Sequence, residues 1–131
     1  MKFILPLFLF PGIALAACRP AVKLIGSVNL EKKKFVPTFT GKAQEKICID
    51  TNAANANLEL IFSKGKSSHT EKVFSSLNGF YDVVQKDNSL DGGTYPLKSF
   101  LINTWAPPWY KGGNLVIKEI SSGKKIFEVK L

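Results

Sequence analysis

From Val22 onward, apolar side chains recur at every second position in short runs broken by Gly, Pro, Asn and Ser. Side chains that alternate in this way belong to strands with one buried and one wet face, and no segment sustains the 3.6-residue period of a helix. A chain so patterned has to bury two sets of strand faces against each other. The expected fold is all-β: a two-layer antiparallel immunoglobulin-like β-sandwich of seven or eight strands.

Val22 to Leu30 reads as a first strand and Lys46 to Asp50 as a second, with Pro37 and Gly41 bracketing a loop between them. Leu58, Leu60 and Phe62 mark a third strand, stopped by Gly65. Glu71 to Leu77 and Phe80 to Gln85 flank Asn78-Gly79, a dipeptide favoured in two-residue hairpins. Asp87 to Gly93 reads as a turn-rich loop. Tyr95 to Thr104, Asn114 to Ile120 and Lys125 to Leu131 complete the set, the last two joined by a turn at Ser121-Ser122-Gly123.

The first 17 residues read differently. Lys2, the apolar run Phe3 to Leu15 and the small residues Ala16-Ala17 form the three parts of a secretory signal peptide. A membrane span would need roughly 20 apolar residues without the interruptions at Pro6, Pro11 and Gly12. Residues 1–17 are therefore expected to be a leader and residues 18–131 a single β-sandwich domain of about 114 residues, enough for one core. The expected destination is secretion, to the extracellular space or an endosomal or lysosomal lumen. Cys18 and Cys48 then have two readings. In an oxidising compartment they form a disulfide closing a loop of about 30 residues. Leu15-Ala16-Ala17-Cys18 also matches a bacterial lipobox, in which an acylated Cys18 would anchor an outer-membrane lipoprotein.

Removing the leader takes one of the 18 basic residues, and 17 against 10 acidic residues leave a charge of +7. Such a balance favours an anionic partner, an anionic membrane surface among them, or serves solubility alone. Nucleic acid is not the expected partner, because the lysines alternate with apolar residues along strands and are not interleaved with stacked aromatics. The single His69 and two widely spaced cysteines give no zinc-ligand spacing, and Asp82, Asp87 and Asp91 lack the spacing of a calcium loop. No metal, cofactor or catalytic residue is expected, and the chain does not read as an enzyme.

Pro107-Pro108 ends the strand that precedes it, so Trp105, Trp109 and Tyr110 flank or occupy a loop among lysines. One Trp is expected to plug the end of the sandwich. The other would guard a cavity mouth or sit at a lipid interface, where a ring with one polar edge is favoured.

The order GTYPL, an apolar strand, APPWYKGGNLVIK and SGKKIFEVKL resembles the C-terminal half of the ML lipid-recognition family, and KICIDTNAANANLELIFSK resembles its paired upstream strands. The resemblance implies a sandwich splayed at one end to hold a lipid or another apolar small molecule between its sheets. The lining it implies is Leu60, Phe62, Phe74, Phe80, Phe100, Ile102, Leu115 and Ile117, beside Trp105, Trp109 and Tyr110. The function expected is that of a secreted, monomeric, non-enzymatic lipid-binding or lipid-transfer protein. The alternative is a secreted or lipid-anchored sandwich, an effector, inhibitor or lipoprotein, that binds a protein partner through its loops.

Overall fold

The computed structural model describes residues 16–50, 55–84, 86–87 and 90–131, and for 16–17, 49–50, 80–84 and 90–91 the backbone alone. Residues 1–15 of the expected leader 1–17 lie outside the described residues, and Ala16-Ala17 open the first strand. Among the described residues there are nine strands: β1 (Ala16–Asn29), β2 (Lys34–Asp50), β3 (Leu58–Lys64), β4 (Ser67–Val73), β5 (Asn78–Val84), β6 (Leu90–Pro96), β7 (Ser99–Ala106), β8 (Asn114–Glu119) and β9 (Lys125–Lys130). A three-stranded antiparallel sheet, β2-β1-β7, packs on a four-stranded one, β4-β3-β8-β9, while β5 and β6 form a separate ribbon. The two-layer antiparallel sandwich expected from the alternation is the architecture found.

Its core is what period-two patterning dictates. Leu24, Val28, Phe100 and Ile102 point inward from one sheet, and Leu58, Leu60, Phe62, Leu115, Ile117 and Phe127 from the other. Each contributes about 1.5–3 kcal/mol when taken out of water. In β7 the alternation is complete, with Phe100, Ile102, Thr104 and Ala106 buried between exposed or half-buried neighbours.

Several boundaries differ from expectation, each for a physical reason. Strand β2 starts at Lys34, so Pro37 and Gly41 lie inside a strand and not in a loop. The strand lies at the edge of its sheet, where a residue without an N–H is tolerated. Register shifts against β1 between Arg19 and Ala21, Val22 and Leu24, and Ile25 and Gly26 absorb the irregularity, and Thr38 Oγ1 donates to Ile25 O at 3.2 Å. Asn78-Gly79 is not a hairpin turn. It opens β5, opposite Pro96 and Tyr95 of β6, and a Cβ on Gly79 would run into the Tyr95 ring that covers it. The hairpin instead turns at Gly65-Lys66, where Gly65 takes φ 58°, and so β4 begins at Ser67. The stretch expected as one strand from Tyr95 to Thr104 is two. After Pro96 the chain leaves the ribbon, Leu97 N donating to Leu77 O at 2.8 Å, and enters the sandwich where Leu30 N donates to Lys98 O at 2.8 Å. Gly92 and Gly93 are consequently strand residues of β6, and the described residues hold nine strands where seven or eight were expected.

Cys18 and Cys48 stand opposite each other in the β1–β2 register and are joined in a disulfide. The bond leaves the Cys18 sulfur no valence for the thioether of an acylated lipoprotein, and it is the pattern of an oxidising compartment.

The two long edges of the sandwich are built differently. Where β4 lies beside β7, Ser75 Oγ donates to Leu101 O at 2.6 Å. Asn57 holds both backbone groups of Ser75, donating from Nδ2 to the carbonyl (2.7 Å) and accepting at Oδ1 from the N–H (2.9 Å). Arg19 of β1 reaches across the same edge to Trp105 O at 2.8 Å and to Glu71 Oε2 of β4 at 3.0 Å. On the opposite side β2 and the β1–β2 turn face β9, and there the layers enclose two clefts.

Candidate functional site

The larger of these clefts has a volume of about 480 Å³ and is lined by Leu24, Phe35, Pro37, Thr40, Tyr110, Lys111, Lys130 and Leu131. Its apolar floor is made by residues of the buried core, Leu24 and Tyr110. Phe35 reaches this wall because β1 carries Gly26 beneath it: a Cβ there would collide with the Phe35 ring. Tyr110 is placed by the turn that follows β7. Pro107 ends the strand, Tyr110 N donates to Pro107 O at 3.1 Å, and Gly113 N donates to Tyr110 O at 3.1 Å. Gly112, at φ 83°, then lets its N–H meet Leu131 O at 3.0 Å while Leu131 N meets Gly113 O at 2.7 Å. These bonds set Leu131 beside Tyr110. Lys111 and Lys130 stand at the mouth, both exposed. The arrangement is an apolar floor with two ammonium groups at its rim.

A second cleft of about 430 Å³ continues along the same edge between Leu30 and Lys33 of the β1–β2 turn and Lys125 to Glu128 of β9. Lys33 takes a positive φ of 54° there, and Lys125 is paired with Glu128 at 2.7 Å.

The lining residues implied by the family resemblance take two kinds of place where their side chains are described. Leu60, Phe62, Phe100, Ile102, Leu115 and Ile117 all lie in the packed core, with Phe62 opposite Leu115 and Leu60 opposite Ile117 in register. Phe74 follows β4 and is 66% exposed, outside the core, beside a cavity of about 470 Å³ shared with Asn57 and Ile120. The side chain of Phe80 lies outside the described residues.

The three aromatics expected to form one lip point in three directions. Trp105 is still within β7, half-buried on the outer face of its sheet, with Lys23 Nζ 4.9 Å from its ring centre. Trp109 lies over the β4 edge in a separate cavity of about 310 Å³ with Arg19, His69, Pro107 and Pro108. Tyr110 is 7% exposed and forms part of the cleft floor. Sequence neighbours part here because Trp105 obeys strand alternation whereas the other two follow a tight turn.

His69 is half-buried, and its Nε2 lies 2.7 Å from the Glu71 Oε2 that also receives Arg19. Among the described residues no group of three His, Cys, Asp or Glu side chains is placed to hold a metal ion. No helix there is long and apolar enough to cross a membrane.

The cleft residues Leu24, Phe35, Pro37, Lys111, Lys130 and Leu131 are not among those the sequence assigned to a ligand site. The one usable signal was Phe35-Val36-Pro37, an apolar run that a loop would not need. The chain matches no family model, no curated protein and no solved structure.

Proposed function

We propose that this is a non-enzymatic lipid-binding protein exported to an oxidising compartment. Its ligand is a single-chain anionic amphiphile held with its tail in the β2/β9 cleft and its headgroup at Lys111 and Lys130. The observation that carries this reading is the pairing of an apolar floor, Leu24 and Tyr110, with two exposed lysines at the mouth of a cleft on the sandwich's open edge. A volume of about 480 Å³ falls within the range of about 300–1,000 Å³ usual for small-molecule sites. Burying about ten methylenes supplies about 8 kcal/mol at ~0.8 kcal/mol each, before the costs of ordering the chain. A carboxylate or phosphate fits the rim, since two lysines offer charge there and no Asp or Glu side chain belongs to the lining. The leader pattern and the ordered resemblance to the ML family support lipid binding, although the resemblance implies a ligand between the sheets at one end and this cleft lies at an edge.

The test is uptake of a fluorescent fatty acid by the wild type and by Thr40→Trp, which fills the mouth from an exposed position without touching the core. The expected result is saturable uptake that falls at least about tenfold in the variant, with an unchanged melting temperature. Absence of uptake, or equal uptake by both proteins, would overturn the reading.

A further inference from the structure

The outer face of the three-stranded sheet carries a second surface, separate from the cleft and on the other side of the layer. Register fixes its membership, because residues opposite each other in antiparallel strands share a face. Across β7, β1 and β2 the rows run Asn103–Ile25–Phe39, Leu101–Ser27–Val36 and Ser99–Asn29–Lys34, and Trp105 stands opposite Lys23 at one end. Leu101 is 61% exposed, Val36 54% and Phe39 52%. Half of the six large exposed hydrophobics among the described residues therefore lie on this one sheet face, with Ile25 and Trp105 half-buried between them.

An outward sheet face should be polar, so a cluster of this kind needs an occupant. The charges identify it. Lys23 and Lys34 stand at opposite ends, and none of the positions in these rows is acidic. A second copy of the chain does not suit it: docking the face on itself would bring together surfaces whose only charges are positive. What suits it is a surface that accepts apolar side chains and a Trp edge at one depth and lysine ammonium groups slightly above. That is the profile of the headgroup layer of a bilayer. Lys23, packed over the Trp105 ring, spans both depths.

We propose that the outer face of the β2-β1-β7 sheet is a docking surface for an anionic phospholipid bilayer, with Phe39, Val36, Leu101 and Trp105 entering the headgroup layer and Lys23 and Lys34 meeting its phosphates. The proposal does not rest on the cleft.

The experiment is co-sedimentation of the purified protein with vesicles of phosphatidylcholine alone and of phosphatidylcholine with phosphatidylglycerol. The expected result is partition onto the phosphatidylglycerol vesicles, weakened by salt. It should drop at least about tenfold in Phe39→Ser/Leu101→Ser and about fivefold for each of Lys23→Gln and Lys34→Gln, all with unchanged melting temperature. In Trp109→Phe, Trp105 is the sole indole, and its emission should move to the blue on these vesicles. Thr40→Trp should bind them like the wild type, which separates docking from uptake of a single lipid into the cleft. Equal binding to both vesicle types, undiminished binding by Phe39→Ser/Leu101→Ser, or an unmoved Trp105 emission would overturn the proposal. So would a face that holds a protein partner or a second copy and no vesicle.

Discussion

The two long edges of the sandwich solve the same problem with opposite chemistry. Along β4 and β7 the layers are fastened by directional contacts: Asn57 grips both backbone groups of Ser75, Ser75 binds Leu101, and Arg19 ties β1 to Trp105 and Glu71. Along β2 and β9 clefts intervene, with apolar floors and lysines at their rims. Polar contacts specify a distance and an angle, whereas apolar ones specify only proximity. A sandwich fastened on one side has its spacing set there and can admit a guest on the other. The cleft is where it is because the latch is elsewhere.

The contrast can be broken most severely from the β2 side. Strand β2 is bound to its sheet by β1 and by the Cys18–Cys48 bridge, whose cysteines are 30 positions apart in sequence. Cys18→Ser/Cys48→Ser should cost about 3–4 kcal/mol in chemical denaturation, and should abolish fatty-acid uptake at denaturant levels where the core is still folded. Next comes the latch. Asn57→Ala leaves the Ser75 N–H and carbonyl without their partner and should cost about 2–3 kcal/mol, while the exposed Thr40→Val at the other edge stays within about 0.5 kcal/mol. A smaller effect than that of Asn57→Ala belongs to Glu71→Gln. It removes the carboxylate shared by Arg19 and His69, both partly exposed, and should cost about 1–2 kcal/mol of unfolding free energy in urea with no change in uptake. Equal costs at both edges would mean that the spacing is held by the core alone.

How far the sequence carried depended on whether local pattern and tertiary role agreed. Strands β3, β7, β8 and β9 were legible because Leu58-Leu60-Phe62, Phe100-Ile102, Leu115-Ile117 and Phe127 alternate across one dry and one wet face. Most of β2 was not, since it is exposed on both faces over most of its length and therefore has no alternation to read. Asn78-Gly79 was misread because pairing with β6 and cover by Tyr95 outweigh a dipeptide's turn preference. The aromatic lip followed from adjacency in sequence, but facing is decided by the strand up to Ala106 and by the turn after it. The cleft was legible only in Tyr110 and the Phe35-Val36-Pro37 run, because Leu24, Phe35 and Leu131 are brought together only when two sheets close.

The sheet order also carries a consequence for how the polypeptide is made. β1 is the inner strand of one sheet and β3 one of the two inner strands of the other, and each takes one neighbour from nearby in the chain and the other from far along it, β7 for β1 and β8 for β3. The first layer waits for residues 99–106 and the second for residues 114–130. Until then both strands present an open edge, a state that favours slow folding and unwanted pairing. The β1–β2 hairpin needs no such wait, because both of its strands and both cysteines lie within the first 50 residues. During vectorial synthesis the bridge can therefore close on a hairpin still waiting for its third strand, making it the seed on which the later strands assemble.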